Sequence, residues 1–522
     1  MKNCFNRILV ATTLLTFISC ENFLKEVPES VNTSESYFKT ESDAWSALNG
    51  VYSQLRIMGV SANNSSLSTW MYSMTETQDN MHYQSSISDV MAINNFSIVP
   101  TNIMVQASWA ILYGGVARAN NVLDNIDKVP VIKQEVKTQI IAEARFMRGF
   151  YYFYLVRLFG GVPLTLNQIK SVEMLPRETA ENVYKAIIAD FEFAYQNLAI
   201  VPKDLGRATK GAAAGFLSKV YLTRKDWALS AQYAQNVVQL GVYSLLTNNK
   251  DYYDVNKKAT NTEAMFECQS APVSGLEGTL YRYLNNKDIP ENPSISGVSL
   301  KGPSAVFSAT WDLFFLYDKN DKRRDLSIAI TWDRKQPPAP KDSSAYAWPY
   351  KYVVLVTSDG LYANNWPYLK YGDVLLMYAE ALNEQNKTAE AYQWINIVRR
   401  RAFGYPVNAA SPYDLTGLSQ AQFREAVYKE RRLELAYEGH RWFDLVRTGR
   451  LETTMNAFAQ RLQREYSNSE LSVRSKSDPN KKLFLRNSKN LIINPVSEKH
   501  NLYPIPQIER DVNPLLDQNS GY

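Results

Sequence analysis

The chain predicts an all-α body assembled from antiparallel helix pairs, and three observations predict it. Ile140, Ala144, Met147, Tyr151, Leu155 and Leu158 recur with the 3.6-residue period of one buried helical stripe. A helix–turn–helix over Gly211–Thr223 and Trp227–Leu240 recurs 160 residues later, with Leu222, Ala231 and Val238 matching Leu382, Ala391 and Val398, and the turn residue Asp226 matching Asn386. Two long stretches, about 60–100 and 244–366, lack that period and read as elaborations on the helical scaffold. A single hairpin cannot bury its own apolar face, so stacked tetratricopeptide-like repeats satisfy this pattern; a general helical bundle satisfies the periodicity equally well.

Taken from the N-terminus, the first element is an export signal. Lys2 and Arg7 precede the apolar run Ile8–Ile18, which falls short of the ~20 residues a membrane-spanning helix needs. Ser19 supplies a small residue before Cys20, the arrangement of a lipoprotein signal in which residues 1–19 are cleaved and Cys20 is acylated. Phe17 stands where leucine is usual, and the competing reading is an ordinary secretory signal with an incidental thiol at Cys20. Several acyl chains at ~0.8 kcal/mol per buried methylene would anchor residues 20–522 to a membrane while the body stays in water.

Composition narrows the class. Of 522 residues, 45% are hydrophobic and 21% charged, which describes an ordinary globular protein. The formal charge of +5 loses Lys2 and Arg7 with the signal, and the remainder forms no basic block, so nucleic acid is not an expected partner. Three cysteines, one in the signal and one at its end, leave Cys268 alone, which excludes an internal disulfide and a four-thiolate zinc site. His82, His440 and His500 have no metal-ligand spacing, and no cofactor is expected.

The stripe through Leu158 ends at Gly160-Gly161 and Pro163. The helix–turn–helix pairs follow, separated by the Pro-rich 244–366 stretch with Pro337-Pro338-Ala339-Pro340 as its clearest loop. A last long helix runs from about Gln420 to Tyr437, breaks at Glu438-Gly439-His440 and resumes from Trp442 to Val446.

Several blocks resemble the SusD/RagB family of glycan-binding surface lipoproteins. They are Ala142–Phe153 (AEARFMRGFYYF), Leu158–Leu164 (LFGGVPL), Tyr371–Ala381 (YGDVLLMYAEA), Glu430–Arg447 (ERRLELAYEGHRWFDLVR), Leu502–Pro506 (LYPIP), Asn513-Pro514 and Gln518–Tyr522 (QNSGY). Ser520 replaces the proline more usual there. The resemblance spans nearly all of 20–522. It implies one all-α, SusD-like domain of about four tetratricopeptide-like helix pairs packed against loop-rich insertions. It further implies a place on the outer membrane, surface-exposed, and a partner: a TonB-dependent SusC-like outer-membrane transporter that receives captured oligosaccharide.

A sugar-binding site needs flat aromatic faces and planar polar groups. The chain's 33 Tyr and 10 Trp permit such a site without locating it, since aromatics at helical spacing are more often core. Trp45, Trp109, Trp227, Trp394 and Trp442 lie in periodic segments, Trp311 and Trp366 read as buried or abutting a repeat, and Trp70, Trp332 and Trp348 remain as candidates. By family analogy the contacts come from two places. Asn80, His82 and Tyr83 follow the first long helix; Tyr281, Tyr283, Asn285 and Asn286 lie in the insertion, with Trp332, Tyr346 and Trp348 as possible rims.

No catalytic residue is expected. Glu430 and Glu434 share a helix face, but Arg431 and Arg432 beside them favour ion pairing over acid–base chemistry. A nucleophile elbow and a Gly-rich phosphate loop are both missing from the sequence. The expected function is non-enzymatic capture of a glycan; the rivals are peptide capture on the same fold, a surface glycoside hydrolase, and a tetratricopeptide scaffold that only assembles proteins.

Overall fold

The computed structural model describes residues 37–59, 74–76, 78–83, 87–169, 174–273, 276, 278, 307–332, 344–352, 363–467, 472–474, 482–485 and 493–522; 330–332, 344–346, 462–467, 472–474 and 482–485 are described by backbone alone. Cys20, Trp70, Tyr281, Tyr283, Asn285 and Asn286 lie outside the described residues.

The helices are α1 Glu41–Gly59, α2 Ser88–Asn94, α3 Ile103–Asn125, α4 Gln134–Phe159, α5 Ala180–Asn197, α6 Lys210–Thr223 and α7 Trp227–Gln239. They continue as α8 Trp311–Leu316, α9 Lys322–Ser327, α10 Tyr371–Glu384, α11 Thr388–Ala402, α12 Gln420–Glu434, α13 Arg441–Arg447, α14 Leu451–Ser467 and α15 Gln507–Val512. Short strands lie in or at the edge of the elaborations, β1 Met81–Tyr83, β2 Ala264–Cys268, β3 Phe307–Ala309, β4 Ile328–Trp332, β5 Ser344–Pro349 and β6 Trp366–Lys370, and two more follow near the C-terminus, β7 Ser472–Arg474 and β8 Lys482–Leu485.

Eight helices, α3 to α7 and α10 to α12, each pack on the one before, the equivalent of four pairs. The fold is therefore all-α and tetratricopeptide-like, as expected, with α1 laid across α3 and α4. Close approach there requires glycine: a Cβ on Gly115 would stand 2.5 Å from the ring of Tyr151, whose hydroxyl donates to Val51 O at 2.7 Å in α1. Phe146, Phe150, Phe216, Phe266 and Tyr368 meet edge to face and join α4 and α6 to strands β2 and β6.

The repeat is real, but its offset is 161 rather than 160. The residues that turn left-handed between paired helices are Lys225 and Asn386, both at φ 62°. Asp226 N–H donates to Tyr221 O and Lys387 N–H donates to Leu382 O, the same turn in both hairpins. Buried Ser230, Ala234 and Val237 then superpose in register on Ala391, Ile395 and Val398. Asp226 thus corresponds to Lys387, not Asn386. Two apolar stripes of one period match nearly as well at a one-residue slip; the turn's backbone decides between them.

The last long helix ends at Glu434 rather than near Tyr437, because Tyr437 and Gly439 take φ of 66° and 78°. The described residues of the elaborations include paired strands. β1 pairs antiparallel with β3, β2 with β6, and β4, β5, β8 and β7 form a four-stranded sheet.

Candidate functional site

The two elaborations named from sequence converge. Met81, His82 and Tyr83 pair with Ala309, Ser308 and Phe307, so the chain leaving Tyr83 and the chain entering Phe307 meet at the same end of one short ladder. The β4–β5 pair carries Trp332 opposite Ala345 and Tyr346 opposite Thr331. β3 also lies beside β5, so described residues of both elaborations come together. Sequence spacing alone could not show this, since β1 and β3 are more than 200 residues apart.

Asn80, His82 and Tyr83 are not surface contacts. Their exposures are 1%, 1% and 2%. Tyr83 packs edge to face on Phe307 at 5.2 Å and its N–H donates to Asn94 Oδ1 at 3.0 Å. Burial pulls the His82 imidazole down to about 4, so it is neutral at ordinary pH. Trp348 likewise sits in β5 opposite Ala329 with 8% exposure, a buried position and not a rim. A run of Asn, His and Tyr reads as a polar loop in sequence, but pairing with β3 turns it inward. The side chains of Trp332 and Tyr346 lie outside the described residues.

Asn80 belongs instead to a buried polar network beside the β1–β3 ladder. The Glu76 carboxylate accepts the N–H groups of Tyr437 (3.2 Å), Gly439 (2.8 Å), His440 (2.9 Å) and Arg441 (3.4 Å), and also Asn80 Nδ2 (3.2 Å). The left-handed residues Tyr437 and Gly439 aim those backbone donors at one point, forming an anion-binding nest at the break between α12 and α13. Burial pushes the Glu76 carboxyl up to about 7 against the pull of these hydrogen bonds.

Asp79 is gripped from two sides. Arg441 donates to both its carboxylate oxygens at 2.7 Å, and Arg432 pairs with Oδ2 at 3.1 Å. Burial raises its pKa, but Arg432 and Arg441 outweigh that and hold the carboxyl well below the usual carboxylate range. Thr310 closes the cradle, donating its N–H to Asn80 O at 3.0 Å and its hydroxyl to Asp79 O at 2.6 Å. Sequence inspection missed Glu76, Thr310 and Asp312; the charged run at 430–441 was the available signal that something acidic must dock there.

The Glu430/Glu434 pair has a structural role. Arg323 lies 2.7 Å from Glu430 and 2.9 Å from Glu434, and Arg401 and Lys370 reach Glu434 at 2.8 and 3.0 Å. With Arg399 and Lys351, five cations face the carboxylates of Glu263, Asp321, Glu430, Glu434 and Glu438. The balance matters because an unpaired buried charge costs several kcal/mol. Burial works against ionisation of Glu434, yet Arg401, Lys370 and Arg323 hold it well below its ordinary value. A carboxyl so held has no proton to give at neutral pH. A second chain of pairs runs Lys219–Asp373–Arg431–Asp444–Arg447–Glu380 and ties α6, α10, α12 and α13 together.

Among the described residues, no group of His, Cys, Asp and Glu is placed to hold a metal ion, and no helix is long and apolar enough to cross a membrane. Cys268 is buried and unpaired, its thiol pushed up to about 12 by burial.

The block 430–447, one of those that carry the resemblance, supplies Glu430, Arg432, Glu434 and Arg441 to these clusters, and comparison decides the family. Residues 316–522 match the family model described as "SusD family", and residues 22–222 match that described as "Starch-binding associating with outer membrane". The chain belongs to the SusD/RagB family. A SusD-like protein of Formosa agariphila is 27% identical over 99% of both chains, and one of Bacteroides ovatus is 26% identical over 84% of this chain and 81% of that one. The crystal structure of a SusD homologue from Bacteroides thetaiotaomicron superposes with a TM-score of 0.75 at 28% identity, covering 94% of this SusD-family chain and 98% of the other. A structure described as a laminarin-binding SusD-like protein superposes at 0.70 with 25% identity, over 93% and 100% of the two chains.

Proposed function

We propose that this SusD-family chain is a non-enzymatic glycan-binding lipoprotein of the outer-membrane surface, which captures oligosaccharide and passes it to a TonB-dependent, SusC-like transporter. The observation carrying the reading is the convergence of two long elaborations on the β1–β3 ladder, braced from below by buried charge. A solved relative described as laminarin-binding and a matching family model described as starch-binding support glycan as the cargo class. Residues 1–19 serve as the signal and Cys20 as the lipid anchor of one body spanning 20–522. Contacts to sugar come from Tyr281, Tyr283, Asn285, Asn286, Trp332 and Tyr346, while Asn80, His82, Tyr83 and Trp348 are buried and serve the fold. The acidic pair that a hydrolase reading would use, Glu430 and Glu434, is occupied by guanidinium groups.

Titration calorimetry of residues 21–522 against laminarin, starch and a glycan array tests the reading. Saturable binding of at least one glycan without release of reducing ends is expected. Release of reducing ends would make the protein a hydrolase, and binding of peptides but no glycan would change the cargo.

A further inference from the structure

We propose that Arg432 is a positioning residue that couples the two elaborations, so that segments 78–83 and 307–312 keep or lose their places together. The idea takes its purpose from the glycan-capture reading: a sugar held from both sides meets a gap of fixed width only if the two sides are locked to each other.

Three parts of the molecule meet at this one guanidinium. From α12, Arg432 donates to Asn80 Oδ1 at 2.9 Å and to Asp79 O at 2.7 Å in the first segment, and to Asp312 Oδ2 at 3.0 Å in the second. Only 9% of its side chain is exposed. A planar fork with five N–H donors can satisfy separate acceptors in fixed directions, whereas an ammonium acts as a compact point charge on a flexible stem.

Charge neutralisation alone does not account for it. Asp79 retains the bidentate Arg441, and Asp312 retains Arg461 at 2.8 Å, so each carboxylate keeps a cation without Arg432. The contribution peculiar to Arg432 is that one side chain fastens both segments to α12. Thr310, which donates to both Asn80 O and Asp79 O, and the β1–β3 ladder then carry a disturbance on one side across to the other.

Amide hydrogen exchange on the whole folded protein tests this without any glycan, so failure to find a glycan and failure of the coupling are separate results. Asp312→Ala alters the second segment only. It is expected to speed exchange about tenfold at Thr310 N–H and also at Tyr83 N–H on the opposite segment, with Phe150 N–H in α4 unchanged. Arg432→Gln and Arg432→Lys should both do the same, because lysine restores charge and not the fork. Acceleration at Thr310 with Tyr83 unmoved, rescue by lysine, or equal acceleration at Phe150 would each overturn the proposal.

Discussion

The Glu76 carboxylate accepts the Gly439 N–H at 2.8 Å across 363 residues of sequence. Glu76 stands within the first elaboration and Gly439 in the break of the family's charged block. That contact places a structural load on residues whose pattern would otherwise suggest chemistry. Removing the carboxylate leaves several buried donors without an acceptor. Glu76→Ala is expected to destabilise the fold by about 3 kcal/mol or more, and Glu76→Gln by less, since its amide oxygen still accepts. Denaturant midpoints measure both, and an unchanged midpoint for Glu76→Ala would remove the nest from the account.

Tyrosines on the two sides of the site should respond differently. Tyr83 is buried against Phe307, so Tyr83→Ala should cost about 3–5 kcal/mol, like other large-to-small aromatic changes in cores. Tyr281→Ala, by contrast, should weaken glycan binding and leave the melting temperature unchanged. Calorimetry of heat unfolding and of ligand titration on both variants separates the two roles; a melting temperature unmoved by Tyr83→Ala would return that residue to the surface.

Acid should weaken the protein partly through His82. Its folded value of about 4 lies below the ~6.5 of an unfolded histidine, so between those values the unfolded chain holds the extra proton. The contribution of neutral His82 is complete above about pH 6.5 and is lost as pH falls toward 4, in total roughly 3 kcal/mol. Glu76, raised to about 7, has the opposite slope: its unfolded form ionises first, and stability falls as pH rises from about 4.5 to 7. Comparing His82→Gln with the parent cancels the Glu76 effect. The stability margin of the parent over the variant should shrink from pH 7 to pH 4.5, and a margin independent of pH would contradict a buried neutral imidazole.

Anchoring has its own test. A Cys20→Ala protein should bind glycan in solution as tightly as the parent yet fail to support growth of its host on that glycan, because tethering keeps the body at high local concentration beside a transporter. Full growth would sink the anchor argument.

Sequence alone determined the helical architecture, the helix-pair repeat and the family, because each rests on local periodicity and contiguous blocks. The stripe from Ile140 to Leu158 became α4, and the blocks at 371–381 and 430–447 became the helices that carry the buried charge. Tertiary structure decided three things that periodicity cannot. It moved the repeat offset from 160 to 161, because a left-handed turn residue is a backbone fact that two similar apolar stripes leave open. It buried Asn80, His82, Tyr83 and Trp348, because strand pairing with partners far along the chain turns polar and aromatic side chains inward irrespective of their type. It gave Asp79 and Asp312 their arginines and Glu76 its backbone donors, because such partners meet through space and leave no trace in spacing.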